Sequence, residues 1–367
     1  MKIVEVKATP FKIPYKKPLR FGAAGYDDAA EHVLLEIRTD EDITGIAEAI
    51  PRPTIYGESQ ASIVYAIKRW FMPILMGEEA YNIDKIWNKM DKIVGNTTVK
   101  GAIDVALNDI MGKKAGLPLC KLIGGYKDKV EVAWMIGMDS LENMYEEAVE
   151  MRKKGIRSFK VKVGKNLKND IQIIKMIREN MGDEVNIYVD ANQAYTVEEA
   201  INAIKEMKEY NIKLLEEPVA WWNNKGKKRI ANFSPVPLMA DESAITPQLV
   251  LNEIENGTAG IFSVKIPRTG ITRSKFIIQL AEQCGIPCLI GTQSETSIGA
   301  RAAIHVAASF CNVSYPSEIS FFTNLTDEVI KNPLQLEDGF VKVPLENGVG
   351  AEVDYYKLNY YKVEINL

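Results

Sequence analysis

From residue 126 to residue 335 the chain repeats one pattern, a short apolar run that suits a buried strand followed by a helical stretch. Successive strands begin roughly 25 residues apart, the length of one strand plus one helix in a barrel of parallel strands ringed by helices. We therefore expect a (β/α) barrel, with no clear helix after its last strand. The predicted strands are 131–137, 158–163, 186–190, 212–216, 237–241, 261–266, 287–291 and 312–317, and the predicted helices are 140–154, 167–181, 196–210, 226–233, 246–257, 271–284 and 297–310.

The first 125 residues have a different pattern and predict a separate α+β unit. Residues 1–50 alternate apolar and polar positions, as antiparallel strands do, and residues 59–125 turn helical. Residues 19–26 contain two glycines and predict a mobile loop, either a connector or a lid. Alternation returns in 339–344 and 353–367, and we expect this tail to rejoin the first unit. The predicted division of the chain is 1–125, 126–335 and 336–367.

Composition and charge argue against several classes of protein. Lys and Arg (45) and Asp and Glu (49) nearly balance and intermix, so we expect no nucleic-acid partner. The apolar runs fall far short of the about 20 residues that span a membrane, so we expect no membrane partner and a cytoplasmic location. The only histidines, His32 and His305, leave little room for a His-rich zinc centre or a His-centred triad, and we expect His305 to be a packing residue. Four cysteines in apolar surroundings predict reduced core residues.

Two lysines one residue apart, Lys160 and Lys162, lie in the second predicted barrel strand. Because side chains alternate along a strand, both lysines point to one face, while Phe159, Val161 and Val163 point to the other. Burying two ammonium groups costs on the order of several kcal/mol per ion unless anions meet them. The sequence should therefore supply carboxylates close to these lysines.

Three acidic residues, Asp190, Glu216 and Asp241, end three consecutive predicted strands. In a parallel barrel the carboxyl ends of the strands converge on one mouth, so these side chains should be neighbours. Carboxylates in contact raise one another's pKa, which a divalent cation among them would relieve. Oxygen ligands without His or Cys indicate Mg²⁺, with Mn²⁺ as a possible substitute.

Lys265 ends the sixth predicted strand, which lies opposite the second in a ring of eight. Lys162 and Lys265 would then flank whatever the metal holds, one removing a proton from a substrate and the other returning one. A proton α to a carboxylate is hard to remove because the enediolate carries two negative charges, and a metal stabilises them. Burial and the neighbouring ammonium of Lys160 should lower the lysine pKa toward the working range.

The run Phe159-Lys160-Val161-Lys162 and the segments YVDAN, LLEEP, ADES and SVKIPRTG resemble the enolase superfamily, in its muconate-lactonizing enzyme subgroup. The resemblance implies an α/β fold, a (β/α)7β TIM-like barrel with an α+β capping domain built from the N-terminal region and the C-terminal tail. It implies that Lys162 and Lys265 are the acid/base pair and that Lys160 contacts the bound carboxylate. The implied metal ligands are Asp190, Glu216 and Asp241, with Asn192 and Glu242 beside them. The mandelate racemase subgroup uses a His-Asp pair instead, and neither histidine here ends a strand.

The resemblance leaves the substrate open. Cycloisomerases, o-succinylbenzoate synthases, N-acylamino acid racemases, dipeptide epimerases and some dehydratases share these lysines and this metal site. Dipeptide epimerases carry an Asp-x-Asp pair after the eighth strand, and its absence from 316–320 counts against a dipeptide. Candidates for contact with the substrate are Lys160, Asn192, Glu295, Glu318, Tyr56 and Phe21, together with Trp221, Trp222, Arg20 and Tyr26 near the pocket.

The leading hypothesis is therefore a Mg²⁺-dependent isomerase that removes the α-proton of a small carboxylate, either a cycloisomerase or a racemase or epimerase. A dehydratase of a sugar acid or hydroxy-amino acid, or an o-succinylbenzoate synthase or N-acylamino acid racemase, would use the same site. A Schiff-base lyase built on Lys162 is a further alternative, which the acidic triplet disfavours. A binding protein without activity is the last alternative. By analogy with such relatives we also expect a homo-oligomer.

Overall fold

The computed structural model describes residues 1–21 and 25–365, and the side chains of residues 19–27 lie outside that description. Residues 22–24 of the predicted mobile loop at 19–26, and the side chains of Arg20, Phe21 and Tyr26, therefore fall outside the described part of the chain. The backbone of 19–21 and 25–26 forms paired strand where a loop was expected. Within it, no helix is both long and apolar enough to traverse a bilayer.

The N-terminal unit, which we call the cap, is a three-stranded antiparallel sheet followed by helices. Along the first strand the side chains alternate, and Phe11, Ile13 and Tyr15 face the core while Lys12, Pro14 and Lys16 face solvent. Ser59 and Ser62 form a reciprocal cap at the start of the first helix. The strands are β1 (Ile3–Phe21), β2 (Gly25–Thr39) and β3 (Thr44–Ala49), and the helices are α1 (Gln60–Ala66), a π-helical turn (Ile67–Phe71), α2 (Met72–Leu75), α3 (Ile83–Met90), α4 (Thr97–Ala115) and α5 (Leu119–Ile123).

The central unit is a sheet of seven parallel strands in sequential order, each followed by a helix on the outside. Sequential order with helical crossovers is the topology that the strand–helix repeat predicted. The strands are β5 (Ala133–Ile136), β6 (Ser158–Lys162), β7 (Asn186–Asp190), β8 (Ile212–Glu216), β9 (Leu238–Ala240), β10 (Ile261–Val264) and β11 (Cys288–Ile290). The helices are α6 (Leu141–Lys153), α7 (Leu167–Met181), α8 (Val197–Met207), α9 (Asn224–Phe233), α10 (Pro247–Asn256), α11 (Ile266–Gln283) and α12 (Ser297–Ala307).

The eighth predicted strand, 312–317, closes the ring by isolated pairs rather than as a continuous strand. Val313 bridges to β11 and Ser317 bridges to Val132, next to β5. The Ala133 amide donates to the Ser317 carbonyl at 2.8 Å. Pro316 lacks the N–H that a central strand would donate, which accounts for the interruption. A short 3₁₀ turn, Phe321–Asn324, follows the closing segment.

Side chains that point into the barrel separate into an apolar floor and a charged upper layer. The floor is a cluster of Ala133, Tyr188, Leu214, Met239, Ile261 and Leu289. Strand β6 shows the division between faces. Phe159, Val161 and Val163 are buried on the outer side, while Lys160 and Lys162 lie on the inner side with 1% and 8% of their surface exposed. The predicted facing of the two lysines agrees with this arrangement.

Helix α11 joins the cap to the barrel. The chain turns helical at Ile266, earlier than the predicted start at residue 271, and breaks at Gly270, where φ is +63°. A Cβ at Gly270 would lie 2.4 Å from Oδ2 of Asp104 in the cap helix α4, so only glycine fits. Asp104 accepts hydrogen bonds from the amides of Ile271 (2.6 Å) and Thr272 (2.9 Å) and thereby caps the resumed helix.

The C-terminal segment contacts both units. Strands β12 (Leu336–Glu337) and β13 (Phe340–Lys342) form a hairpin that pairs with β4 (Lys129–Glu131), immediately before the barrel. Helix α13 (Tyr355–Tyr361) then packs on the cap, where the Tyr355 hydroxyl donates to Glu36 at 2.7 Å. The extended structure that alternation over 353–367 indicated is wrong. Asp354 accepts hydrogen bonds from the Tyr356 and Lys357 amides and starts a helix there.

His305 packs in helix α12, as predicted for a residue without a catalytic role. Its Nδ1 accepts from the amide of Cys120 at 3.2 Å, and burial lowers its pKa to about 4. All four cysteines are free, but Cys284 and Cys311 are exposed, contrary to the expected core positions. Cys284 caps the end of α11 and Cys311 lies in a turn beyond α12, and at such positions an apolar sequence neighbourhood does not guarantee burial.

Because His305 stays neutral in the folded protein, its contribution to stability should depend on pH. The unfolded chain protonates near pKa 6.5 and the folded chain near about 4, so the contribution is complete above pH 6.5 and is lost as the pH falls toward 4. Between about pH 7.5 and pH 5, urea unfolding should show the native protein losing about 2 kcal/mol more than His305→Gln. Equal losses in the two proteins would contradict this account.

Candidate active site

The charged upper layer of the barrel brings the predicted acids and lysines together. In the strand register Lys162 is paired with Asp190, and Asp190 with Glu216, so three charged side chains stand side by side on β6, β7 and β8. Asp241 follows β9, and Lys265 follows β10. All of these residues are buried, with 0–1% of the surface of the three acids exposed. Strand ends meeting at one mouth account for the cluster.

Lys160 lies at the centre of the acids. Its Nζ is 2.9 Å from Oδ2 of Asp190 and 2.6 Å from Oε2 of Glu216, and it donates to Oε2 of Glu318 at 3.0 Å. Burial opposes the charge, but Asp190, Glu216 and Glu318 outweigh burial and raise the pKa of Lys160 well above its ordinary value. This ammonium group therefore stays charged.

Lys162 is held at the edge of the cluster by two acceptors. Its Nζ lies 2.5 Å from Oδ2 of Asp190 and donates to Oδ1 of Asn192 at 2.7 Å. The Asn192 amide nitrogen donates to Oδ1 of Asp190 at 2.8 Å, and its side chain donates to Glu242 at 3.4 Å. Asn192, Gln193, Glu217 and Ser294, all just beyond barrel strands, have φ between +34° and +70°. Strained backbone at the mouth is typical of functional sites.

Lys265 and Arg268 share the carboxylate of Asp241. The Lys265 ammonium contacts Oδ2, and Nη1 of Arg268 donates to Oδ1 at 2.7 Å. Burial would raise the pKa of Asp241, but these two cations hold it well below its usual range. Asp241 in turn outweighs burial and raises the pKa of Lys265, which is opposite to the lowering expected from the sequence. Direct contact with a carboxylate accounts for the difference.

The donor set fits a hard divalent cation. Burial and the neighbouring Asp190 raise the pKa of Glu216 well above its usual value. Within the described residues neither oxygen of Glu216 accepts a well-formed hydrogen bond, although Lys160 is close. Across residues 1–21 and 25–365 no three acidic, Cys or His side chains already enclose one point as metal ligands, because ammonium groups lie between the acids. A cation could bind Asp190, Glu216 and Asp241 by taking over those contacts.

Two further acids support the mouth. Glu217 accepts from the amides of Asp241 (2.8 Å) and Ser243 (2.7 Å), and burial raises its pKa to about 7. Burial, and after it the charge of Asp241, raises the pKa of Glu242 to about 8. Glu242 lies beside the acids, where its side chain accepts from Asn192. The sequence reasoning missed Glu217 and Arg268. Both stand inside the segments LLEEP and SVKIPRTG, whose adjacent charges were the available signal.

The remaining predicted contacts fall in different places. Tyr56 of the cap reaches the mouth, where its hydroxyl lies 3.3 Å from Nη1 of Arg268 and accepts from Gln293. Glu295 accepts hydrogen bonds within its own loop, from the hydroxyl of Thr292 and the amide of Gln293. Burial raises the pKa of Glu295. The indoles of Trp221 and Trp222 lie at the surface, with 45% and 68% exposed.

The chain matches known proteins along most of its length. Residues 3–124 match the N-terminal domain of the mandelate racemase / muconate lactonizing enzyme family, and residues 143–357 match the enolase C-terminal domain-like family. A hydrophobic dipeptide epimerase from Enterococcus faecalis is 37% identical over 86% of this chain and 89% of its own. An N-succinyl-L-Arg/Lys racemase from Bacillus cereus is 31% identical over 96% of each chain.

Solved structures agree with these matches. A muconate lactonizing enzyme from Mycobacterium smegmatis complexed with muconolactone superposes with a TM-score of 0.96 at 37% identity, covering 99% of this chain and 100% of its own. The Enterococcus faecalis epimerase, complexed with Mg and the dipeptide L-Leu-L-Tyr, superposes with a TM-score of 0.91 at 34% identity, covering 96% of this chain and 100% of its own. Dipeptide epimerases are thus among the relatives, although residues 316–320 lack the Asp-x-Asp pair.

Replacing Lys160 by Met should show that its ammonium group neutralises the acids. The buried carboxylates would lose their shared cation, so in EDTA we expect the free energy of unfolding to fall by about 3–5 kcal/mol. Mg²⁺ should then raise the melting temperature of the variant more than that of the native protein, because a divalent charge can replace the ammonium.

Lys227→Met is the matched control, because Lys227 is a second buried lysine that pairs with a buried acid, Glu253, away from the barrel mouth. It should lose stability without recovering it in Mg²⁺. Equal responses of the two variants to Mg²⁺ in a thermal melt would show that the acids around Lys160 do not favour a cation.

Proposed function

This chain belongs to the enolase superfamily, in the mandelate racemase / muconate lactonizing enzyme family, and its relatives are isomerases; from that premise we propose that it starts its isomerase reaction by moving the α-proton of a small carboxylate with Lys162 and Lys265. The observation that carries the proposal is the position of Lys162 at the end of β6 and of Lys265 directly after β10. In a ring of seven strands closed by the 312–317 segment these strand ends are four positions apart, and we infer from this spacing that the two amines face each other across the mouth.

Opposed amines suit a reaction that removes a proton on one face of a carbon and returns one on the other. Such a reaction inverts a stereocentre, as the names of the epimerase and racemase relatives describe for those proteins. A cycloisomerase would need only one proton transfer, with the other lysine holding the substrate. Both courses share the enediolate, so the same residues serve either.

Asp190, Glu216 and Asp241 are the residues that we propose hold a divalent cation, Mg²⁺ or Mn²⁺. Enzymes of this family use a divalent metal, and the Enterococcus faecalis relative was solved with Mg. When bound, the cation would polarise the substrate carboxylate and offset the negative charge that develops on its oxygens. Lys160, which stays charged among Asp190, Glu216 and Glu318, adds a fixed positive charge close to that carboxylate.

Each of the two lysines that we propose for proton transfer is oriented by an oxygen of a neighbouring side chain. Asn192 receives a hydrogen bond from Lys162, and Asn192 is itself fixed by Asp190 and Glu242. Asp241 contacts Lys265 and raises its pKa, so drawing the negative charge of Asp241 away from the amine would lower that pKa. The pKa of Lys265 is thereby tied to the state of Asp241, and a cation held by the acids would favour the neutral amine.

Hydrogen exchange in deuterated buffer tests this function. The native protein with Mg²⁺ should incorporate deuterium α to the carboxylate of at least one compound from a panel of dipeptides, N-acyl amino acids and muconolactone, detected by mass spectrometry. Lys162→Ala and Lys265→Ala should each slow exchange by about 10²–10⁴-fold, and with a chiral substrate each should affect one enantiomer first. EDTA should abolish exchange in the native protein.

The surface variant Lys331→Ala is the control and should exchange at the native rate, since Lys331 pairs with Glu352 at the surface. Loss of water with formation of a keto product would move the chain to the dehydratase class while keeping the same lysines. Exchange that persists in both lysine variants would refute their proposed role.

We also propose a homo-oligomer that works in the cytoplasm on small molecules, without nucleic-acid or membrane partners. The near balance of basic and acidic residues supports the absence of a nucleic-acid partner. Analytical ultracentrifugation of the purified chain would determine the oligomeric state.

A further inference from the structure

We propose that Arg268 is a positioning residue, which holds one carboxylate oxygen of Asp241 so that only the other oxygen faces the barrel mouth. The inference rests on the proposed metal-binding function of Asp241. Arg268 would thus shape the acid cluster without contacting the substrate or transferring a proton.

The hydrogen bonds of Arg268 converge on the end of β9. Nη1 donates to Oδ1 of Asp241 at 2.7 Å, and Nη2 donates to the backbone carbonyls of Asp241 at 3.0 Å and Ser263 at 2.9 Å. The guanidinium thus binds both the side chain and the backbone of Asp241 and links them to β10. Only 3% of Arg268 is exposed, so these contacts do not compete with water. A planar fork with this many contacts fixes direction, which a flexible ammonium cannot do.

Asp190 is constrained in the same way by a different donor. Its Oδ1 accepts from the amide of Asn192 at 2.8 Å, while its Oδ2 faces Lys160 and Lys162. Asp241 likewise gives Oδ1 to Arg268 and Oδ2 to Lys265. Both aspartates therefore present a single oxygen, Oδ2, to the lysines at the mouth. Arg268 does for Asp241 what a backbone amide does for Asp190.

The charge of Arg268 would on its own disfavour a metal, since a buried cation repels a divalent ion close by. Orientation and charge therefore predict opposite effects. If Arg268 only contributes charge, its removal should tighten metal binding. If it positions Asp241, its removal should weaken metal binding in spite of the lost repulsion.

The guanidinium also contacts the cap. Tyr56 lies 3.3 Å from Nη1 and is hydrogen-bonded by Gln293 from the loop after β11. The nitrogen that donates to Asp241 is therefore also in contact with a cap residue, which limits the rotation of the guanidinium away from Asp241. Loss of this contact in Tyr56→Phe should have a smaller effect than loss of the guanidinium itself.

Mn²⁺ titration of the full-length protein, followed by electron paramagnetic resonance, tests the inference without relying on turnover. Arg268→Met and Arg268→Lys should both weaken Mn²⁺ binding by about 10–100-fold, the range typical for loss of a group that orients a metal ligand. Arg268→Lys keeps the charge and loses the fork, so it separates the two effects. Circular dichroism and the melting temperature check that each variant is folded.

Arg273→Met is the matched control, because Arg273 lies on the same helix and contacts the cap at Asp91 and Trp87, away from the acids. It should bind Mn²⁺ as the native protein does. Tighter binding by Arg268→Met, or unchanged binding by Arg268→Lys, would overturn the positioning role. Should Arg268→Met not fold, Arg268→Lys alone decides. A native protein that binds no Mn²⁺ would instead refute the proposed function, so the two failures are distinguishable.

Discussion

The buried ammonium of Lys160 is the interaction on which the mouth of the barrel depends. Three carboxylates from three separate parts of the chain lie within hydrogen-bond distance of one nitrogen. Without that cation the acids on β7 and β8 and Glu318 would repel one another at close range. Because Glu318 directly follows the closing segment, the charge that stabilises the site also ties the chain to the barrel beside the interrupted strand pairing.

Around this centre the cations fall into two kinds. Lys160 and Arg268 are in contact with acids that keep them charged, and both are nearly inaccessible to water. Lys162 and Lys265 lie further toward the opening, where each contacts an aspartate oxygen that a metal could also use. The site thus combines fixed charges that shape it with amines whose partners can be exchanged. Burial separates the two kinds, since Lys160 and Arg268 are 1% and 3% exposed while Lys162 and Lys265 are each 8% exposed.

The sequence predicted the framework well because strand and helix periods are local signals. Helix α7 was predicted with its observed bounds, and the strand ends placed the acids and lysines at one mouth. Backbone departures from these periods were not visible. The π-helical turn after α1 shifts the buried stripe. Phe71 is therefore in the core, while Trp70, which a regular helix would place on one face with Ile63 and Ile67, is 42% exposed.

Residues that act through backbone geometry were equally hard to foresee. Glu217 has a φ of +34° and accepts hydrogen bonds from the Asp241 turn. Helix α11 begins at Ile266, almost directly after β10, where the sequence predicted no helix. The single-residue alternation that identified Lys160 and Lys162 carries no information about such turns. Pro316 is the exception, since its missing N–H could have been read as a break in the closing strand.

Helix α11 has a consequence for how such a protein can change over generations. Its first turn directly follows Lys265 and runs from Ile266 to Gly270, where Gly270 lies against Asp104 of the cap. A cap borrowed from another protein would need an acid at that position, and a barrel borrowed from another would need the matching glycine. Exchange of the cap or the barrel alone by recombination is therefore constrained at this contact, because the turn that packs on the cap directly follows Lys265. The cap and the barrel would have to be inherited together.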